Sequence, residues 1–508
     1  MLTSVEFPAA DFSVPQRAAA SRPWLAYAVV CLAVLAAFCV VHYLRPIPAF
    51  PWDDPYIDLH SAQVLHAGSD PNYPGVPALF GVTSAPFVGL IYLLLFVLSP
   101  LHALDTSCWI GVLFYGLGLA RLARVLRLRS SEQWLLVFLG LACAPVPVHW
   151  LNGLETSCAL ASVTWTLCLA AGDRRGWIGA AFLAGLSACL RPDLLPFAFL
   201  LVTSLAWQMV RFSPKLKDGL IGALPMLAAA VAPLLLCGYW YFHMTGSPFP
   251  LTGVAKRYFF AEDHWPLLRR VGQAVGQGKA FVIAIGPLVL VFLRMGKSLL
   301  GKVLLVTWGL FAAALFVQFP GQFAVNEFRY PVVLIPTLLW TLGSMLQNTD
   351  PRRLQEAKRL MYFCTGYAIL MLPVCLHFYR EDRIFFEYGS VEGTKWCQQH
   401  LAPGTSILVH DAGYLAYSTD FRTIDFVGLK TPAAIAINRQ YTWASGGRDR
   451  AEAVSKIASE SGSRYLILNS HWGPVVSLPD ELRSLGWKLE LLDSPGAFRI
   501  YRITPPAA

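Results

Sequence analysis

Charge is the scarcest commodity in this 508-residue chain: Asp, Glu, Lys and Arg together make 14% of it, against 56% hydrophobic residues. A water-soluble domain carries about a quarter charged residues, so a wholly soluble enzyme is excluded and a lipid environment is indicated. Cysteine offers no disulfide framework. Of the 11 cysteines only Cys397 lies beyond residue 378, and Cys143, Cys168 and Cys237 sit in apolar runs as small buried hydrophobes. Fixed-period repeats and low-complexity tracts are also lacking. Disorder is excluded by what is abundant, namely 16 Trp, 31 Phe and 19 Tyr.

The net charge of +9 is uneven. From residue 379 onward 14 basic residues balance 14 acidic ones, which leaves 26 basic against 17 acidic in the apolar part. No basic cluster interleaved with aromatics stands outside the short connections, so no nucleic-acid partner is expected. A membrane-spanning helix needs about 20 apolar residues. Suitable runs begin at 24–44 and 83–103 and continue to 360–378, with some shorter ones completed by their flanks. The 24–44 run follows Arg17 and Arg22, but its apolar core is too long for a signal peptide and no small-residue cleavage site follows. It reads as a retained anchor.

Five basic clusters, at Arg121–Arg129, Arg174–Arg175, Arg211–Lys217, Arg294–Lys302 and Arg352–Arg359, mark the cytoplasmic face. Residues 45–82, 243–279 and 320–329 then lie outside, together with everything after 378. This orientation leaves about 11 spans, with 83–103 re-entrant or interfacial. Lys256, Arg257, Arg269, Arg270, Lys279 and Arg329 break the positive-inside pattern. An anionic ligand at the outer leaflet would account for cations there, as would amphipathic helices on anionic headgroups.

Beyond 379 the periodicity changes. Strand-like runs at Ser406–His410, Arg464–Asn469 and Phe498–Ile503 alternate with helix-like stretches at Val391–His400, Arg448–Ser459 and Leu478–Leu485. The expected fold class is thus a multi-pass α-helical membrane domain, 1–378, followed by an external α/β domain, 379–508.

Candidate chemistry concentrates in Phe50-Pro51-Trp52-Asp53-Asp54-Pro55-Tyr56-Ile57-Asp58-Leu59-His60, directly after the first span. Adjacent carboxylates at a membrane surface repel each other and lose hydration, which points to a cation, a base role or a sugar hydroxyl. Neighbouring helical residues point about 100° apart, so one of the two is expected to face a given site, and either could cap the helix that follows. Asp58 reads as part of a solvated face. Glu155, between two apolar runs, needs a partner and serves either substrate contact or bundle packing. His60 and His66 are six apart and no third ligand stands at metal spacing, so no cofactor is expected; a divalent metal bridging Asp53, Asp54 and a phosphate is the alternative, without support from ligand spacing. Trp52 and Trp265 read as interface anchors, and Asp411-Ala412-Gly413 as a turn after a strand.

The order of several short patches resembles the GT-C glycosyltransferases, nearest to the bacterial arabinofuranosyl- and mannosyltransferase-like branch. Asp53-Asp54-Pro55-Tyr56-Ile57 is followed by Gly81-Val82-Thr83-Ser84-Ala85-Pro86, Asn152-Gly153-Leu154-Glu155-Thr156, Leu190-Arg191-Pro192-Asp193, Pro250-Leu251-Thr252-Gly253-Val254-Ala255-Lys256 and Phe328-Arg329-Tyr330-Pro331. His410-Asp411-Ala412-Gly413 and Ile424-Asp425-Phe426-Val427-Gly428-Leu429 also have counterparts there, while Pro55 stands where that branch usually carries a small residue. The resemblance implies a polyprenyl-phosphate sugar donor, a glycan or lipid acceptor in the cell envelope, and inverting transfer on the outer face of the cytoplasmic membrane. It further implies Asp53 as general base with Asp54 orienting substrate, Lys256, Arg191 and Arg329 on the donor phosphate, and Glu155, Tyr56 and His60 as substrate contacts. A transporter or flippase for an anionic or lipid-linked substrate is the alternative. It is disfavoured by the absence of a repeat and by ionisable residues that gather at span ends.

Overall fold

The computed structural model describes residues 23–45 and 47–506, so Arg17 and Arg22 lie outside the described residues. Among the described residues, seven helices are long and apolar enough to cross a membrane. They include α1 (Pro23–Leu44) and the helices Pro100–Val125, Leu216–Thr245 and Leu299–Gln318. Four more of the expected crossings are shorter apolar helices: Ser130–Ala142, Thr156–Ala170, Trp177–Leu190 and Ile335–Met345. The Thr156–Ala170 helix has 15 residues, about 22 Å, against an apolar bilayer core of about 30 Å. The 83–103 run is broken after a ten-residue helix, Ala85–Leu94, which at about 15 Å is far too short to span.

Burial follows from what each helix meets. Thr156–Ala170 is packed nearly all round, with Ala159, Leu160, Val163 and Leu167 fully buried, so it lies inside the bundle. Leu216–Thr245 leaves Leu235 and Leu236 exposed, as a lipid-facing helix does.

The helix Pro351–Phe386 runs past residue 378 and passes through one π-helical turn into Glu392–His400, so the expected domain boundary falls inside a helix. A mixed five-stranded sheet follows, made of β1 (Ser406–Val409), β2 (Arg422–Asp425), β3 (Tyr465–Asn469), β4 (Lys488–Asp493) and β5 (Phe498–Thr504), in the order β2-β1-β3-β5-β4. β1, β2 and β3 are parallel, and β5 runs antiparallel to both of its neighbours, β3 and β4. Sequence reading anticipates β1, β3 and β5 but misses β2 and β4, the two edge strands, in which polar residues such as Arg422, Thr423 and Asp425, or Lys488, Glu490 and Asp493, break the apolar run.

The loops after β1 and β2, at the carboxyl edge of the parallel strands, press on the membrane domain through α2 (Asp54–Ala67) and the turn at Gly81. A Cβ on Gly413 would lie 2.3 Å from the Asp53 carbonyl oxygen, and one on Gly81 2.3 Å from that of Leu429. Lys430, fully buried, donates from Nζ to Ser61 Oγ and to the carbonyls of Ala78 and Phe80. The α/β domain therefore sits against α2 and the loop that follows it.

Candidate active site

α2 starts where Pro55 fixes the first turn, and stops at Gly68, whose left-handed backbone (φ +77°) closes it with an N–H to Val64. Asp53 occupies the N-cap position, yet its side chain makes no capping bond. It accepts instead from the backbone N–H groups of Gly413 and Tyr414, each at 2.7 Å. Burial, followed by repulsion from Asp411, pushes the Asp53 carboxyl well above the ordinary carboxylate range despite these two donors. Its surroundings are a void of only about 30 Å³.

One residue further on, Asp54 points into a cavity of about 410 Å³ between the membrane helices and the segments that connect them. One end of this cavity is polar, with Asp54, Asp58, Glu155, Arg191, Lys256 and Arg329; the other is apolar, with Leu195, Phe311, Ala314, Leu315 and Phe319 at the ends of spans. Such a chamber matches a ligand with an anionic head and a hydrocarbon tail.

The polar end is a chain of opposite charges drawn from five separated segments. Arg329 Nη1 donates to Asp54 Oδ2 at 2.7 Å, and its Nη2 donates to both Glu155 oxygens at 3.0 and 2.9 Å. Arg191 bonds Glu155 at 3.3 Å and pairs with Asp193 at 3.0 Å. Lys256 Nζ lies 3.7 Å from Asp54 Oδ2, a looser pair at the solvent side, where the Lys256 side chain is 25% exposed and that of Asp54 28%. Burial works against ionisation of Asp54, but Lys256 and Arg329 outweigh it and hold the carboxyl below its usual range. Glu155 is likewise lowered, with burial overcome by Arg329 and then Arg191.

Local backbone explains the convergence. Asn152 Oδ1 accepts from the Leu154 N–H, and Gly153 adopts φ +75° with no room for a Cβ, which would meet Phe50 and Pro55 below 3 Å. This turn sets Glu155 against the start of α2. Asn326, Glu327 and Phe328 form a run of three left-handed non-glycine residues, at φ 51°, 54° and 62°, immediately before Arg329. Such backbone costs on the order of 1–3 kcal/mol per residue and persists where the surroundings over-determine it. Here it is held by His149, whose ring Nε2 meets the Glu327 carbonyl at 2.9 Å.

The structure thus corrects several expectations. Asp53 does not line the cavity, because the 100° between neighbouring helical residues turns it to the α/β domain. Tyr56 is also absent from the cavity; it is stacked on Phe386 at 5.5 Å and edge-on to Tyr414 at 4.8 Å. His60 faces a different cavity of about 460 Å³ across α2, where it bonds Asp70 at 3.1 Å. Asp58, expected on a solvated face, is 7% exposed and lines the polar chamber. Trp52 donates its indole N–H to Asp382 at 3.1 Å. Of the six cations that break the positive-inside pattern, Lys256 and Arg329 line the cavity and Arg257, Arg269, Arg270 and Lys279 do not; Arg257 pairs with Asp263 at 2.7 Å, Arg269 lies over the Trp265 ring at 3.8 Å and Arg270 donates to backbone carbonyls. Among the described residues no cluster of three His, Cys, Asp or Glu side chains is arranged for a metal.

Comparison with known proteins places this geometry. The family model described as Domain of unknown function (DUF8728) matches residues 382–502. No curated protein matches the chain. Among solved structures, ArnT from Cupriavidus metallidurans bound to undecaprenyl phosphate is similar at 12% identity and TM-score 0.53, over 95% of this chain and 98% of that one. The apo state of the same protein gives 12%, 0.51, 93% and 97%. The mycobacterial arabinofuranosyltransferase AftD is similar at 14% identity and a TM-score of 0.47, over 97% of this chain and 42% of that one. The chain shares the fold of the ArnT structures, a multi-pass helical membrane domain followed by a small C-terminal α/β domain.

Proposed function

We propose that this protein is an inverting glycosyltransferase that takes a sugar from a polyprenyl-phosphate donor at the outer leaflet of the cytoplasmic membrane and passes it to a glycan or lipid acceptor of the cell envelope. The observation that carries this reading is the single chamber in which the Asp54 carboxylate meets Lys256 and Arg329 beside an apolar channel. It is supported by the likeness to ArnT, whose structure holds undecaprenyl phosphate. In this reading the α/β domain is external and caps the first loop.

Asp54 is the general base in place of Asp53, since a base must reach the attacking hydroxyl. The leaving phosphate lies at Lys256 and Arg329, which stabilise its charge as the glycosidic bond breaks. Lys256 supplies a mobile point charge and Arg329 a planar fork. When the phosphate shares these cations, Asp54 loses part of the attraction that keeps it acidic and becomes a stronger base. The acceptor hydroxyl then gives its proton to Asp54 as its oxygen attacks the anomeric carbon opposite the phosphate. Glu155 and Arg191 hold Arg329 in place from behind.

The test is donor binding. Lys256→Ala is expected to weaken the affinity of purified protein for polyprenyl phosphate by about tenfold, since a charge-assisted contact is worth about 1.5–3 kcal/mol and Arg329 remains. Isothermal titration in detergent or nanodiscs reads this. An unchanged Kd would remove Lys256 from the site, and movement of lipid across sealed vesicles without glycosylated product would favour a flippase.

A further inference from the structure

Every charged side chain lining the chamber has a partner except Asp58. Asp58 lies one helical turn after Asp54 on the same face of α2, is 7% exposed, lines the cavity, and has neither hydrogen bond nor ion pair among the described residues. Its neighbours cannot complete it. Lys430 spends its ammonium on Ser61 and two carbonyls, and Arg329 is shared between Asp54 and Glu155. A buried carboxylate without a partner is expensive. Burial, then the charge of Glu155, accordingly push the Asp58 carboxyl well above the ordinary range, toward its protonated form. A neutral carboxyl offers one O–H donor together with acceptor oxygens and does not repel phosphate, which is the complement of a sugar hydroxyl.

Resting on the glycosyltransferase reading, we infer that Asp58 binds the hydroxyls of the donor's sugar ring while the phosphate occupies Lys256 and Arg329. The spacing supports it: residues four apart on a helix have Cβ atoms about 5–6 Å from each other, the scale of one sugar ring between the reacting centre at Asp54 and the hydroxyl contact at Asp58. Asp58 thereby makes the site prefer a sugar-bearing lipid to the bare lipid phosphate.

The experiment compares binding of polyprenyl phosphate and polyprenyl-phosphate sugars, without acceptor, to wild-type protein, Asp58→Asn and Asp58→Leu. Asn keeps a neutral donor and acceptor and is expected to stay within about threefold of wild type, while Leu loses about tenfold on the sugar-bearing lipid alone, the worth of about 1.4 kcal/mol. Asp58→Ser, too short to reach, should show the same selective loss and decides the matter if the Leu variant does not fold. Equal losses on both lipids, no loss on either, or a wild-type protein indifferent to the sugar would each overturn the inference. A selective loss in a protein that transfers nothing would keep Asp58 as a sugar contact and overturn the transferase reading alone. Wild-type protein that binds neither lipid overturns both.

Discussion

Asp54→Asn is expected to lower sugar transfer by about 10²–10⁴-fold while the protein still folds and still binds lipid phosphate. The size follows from the proton transfer, because an amide cannot accept the hydroxyl proton as the acceptor attacks, and Asp54 lines the chamber with its carboxyl held below the usual range. Folding should survive because Asn keeps an oxygen for Arg329 Nη1 and because the side chain is 28% exposed, so no buried charge is stranded. Asp53→Asn is the control. Its two backbone donors lie in the α/β domain, so kcat should fall far less, and through positioning of α2. Lys256 and then Arg329 overcome the effect of burial and hold the Asp54 carboxyl below the ordinary carboxylate range. The acid limb of kcat/KM, which reports the free enzyme, should therefore lie beneath the ordinary carboxylate range. A limb well above it, or Asp54→Asn protein with undiminished turnover, would remove Asp54 from the base role.

Arg329→Met should be the most damaging single change to stability, costing about 3–5 kcal/mol, because it strands Glu155 and loosens Asp54 at once. Glu155 is 1% exposed and would keep only Arg191, at 3.3 Å and already shared with Asp193. The double change Arg329→Met with Glu155→Gln should recover a large part of that loss, since removing both members of a buried pair costs less than removing one. It should not restore transfer, which needs the guanidinium on the phosphate. Thermal denaturation of the two single variants and the double gives the coupling energy. Additive effects would show that the contact between Arg329 and Glu155 carries no stability of its own.

The chain announces some of this architecture and conceals the rest for identifiable reasons. Apolar runs disclose where helices lie, because lipid demands them, but not that Ser130–Ala142 or Trp177–Leu190 end short of a full crossing. Their ends are set by turns and prolines such as Pro192, whose effect depends on packing. Asp54, Glu155, Arg191, Lys256 and Arg329 are visible as candidates because charge beside apolar runs is costly without a purpose. Which member of the aspartate pair faces the chamber is invisible, since one position of helical rotation decides it and the sequence supplies no reference direction. Asp58 does carry a signal, its spacing of four after Asp54 between Ile57 and Leu59, but its charge argues for a solvated face and masks that periodicity. The partners of Asp53 lie 360 residues away on a loop that reads as an ordinary turn, and no local pattern links them. The same holds for Lys430, which looks like a surface lysine until the α/β domain is docked.

The central claim is that one chamber brings the Asp54 carboxylate to a lipid-borne phosphate. An experimental structure of the full chain with a polyprenyl phosphate tests it most directly. The expected result is a phosphate in contact with Lys256 and Arg329, its prenyl chain leaving past Leu195 and Leu315 and Asp54 adjacent. Density for the phosphate in the cavity beside His60, or anywhere out of reach of Asp54, would contradict the account.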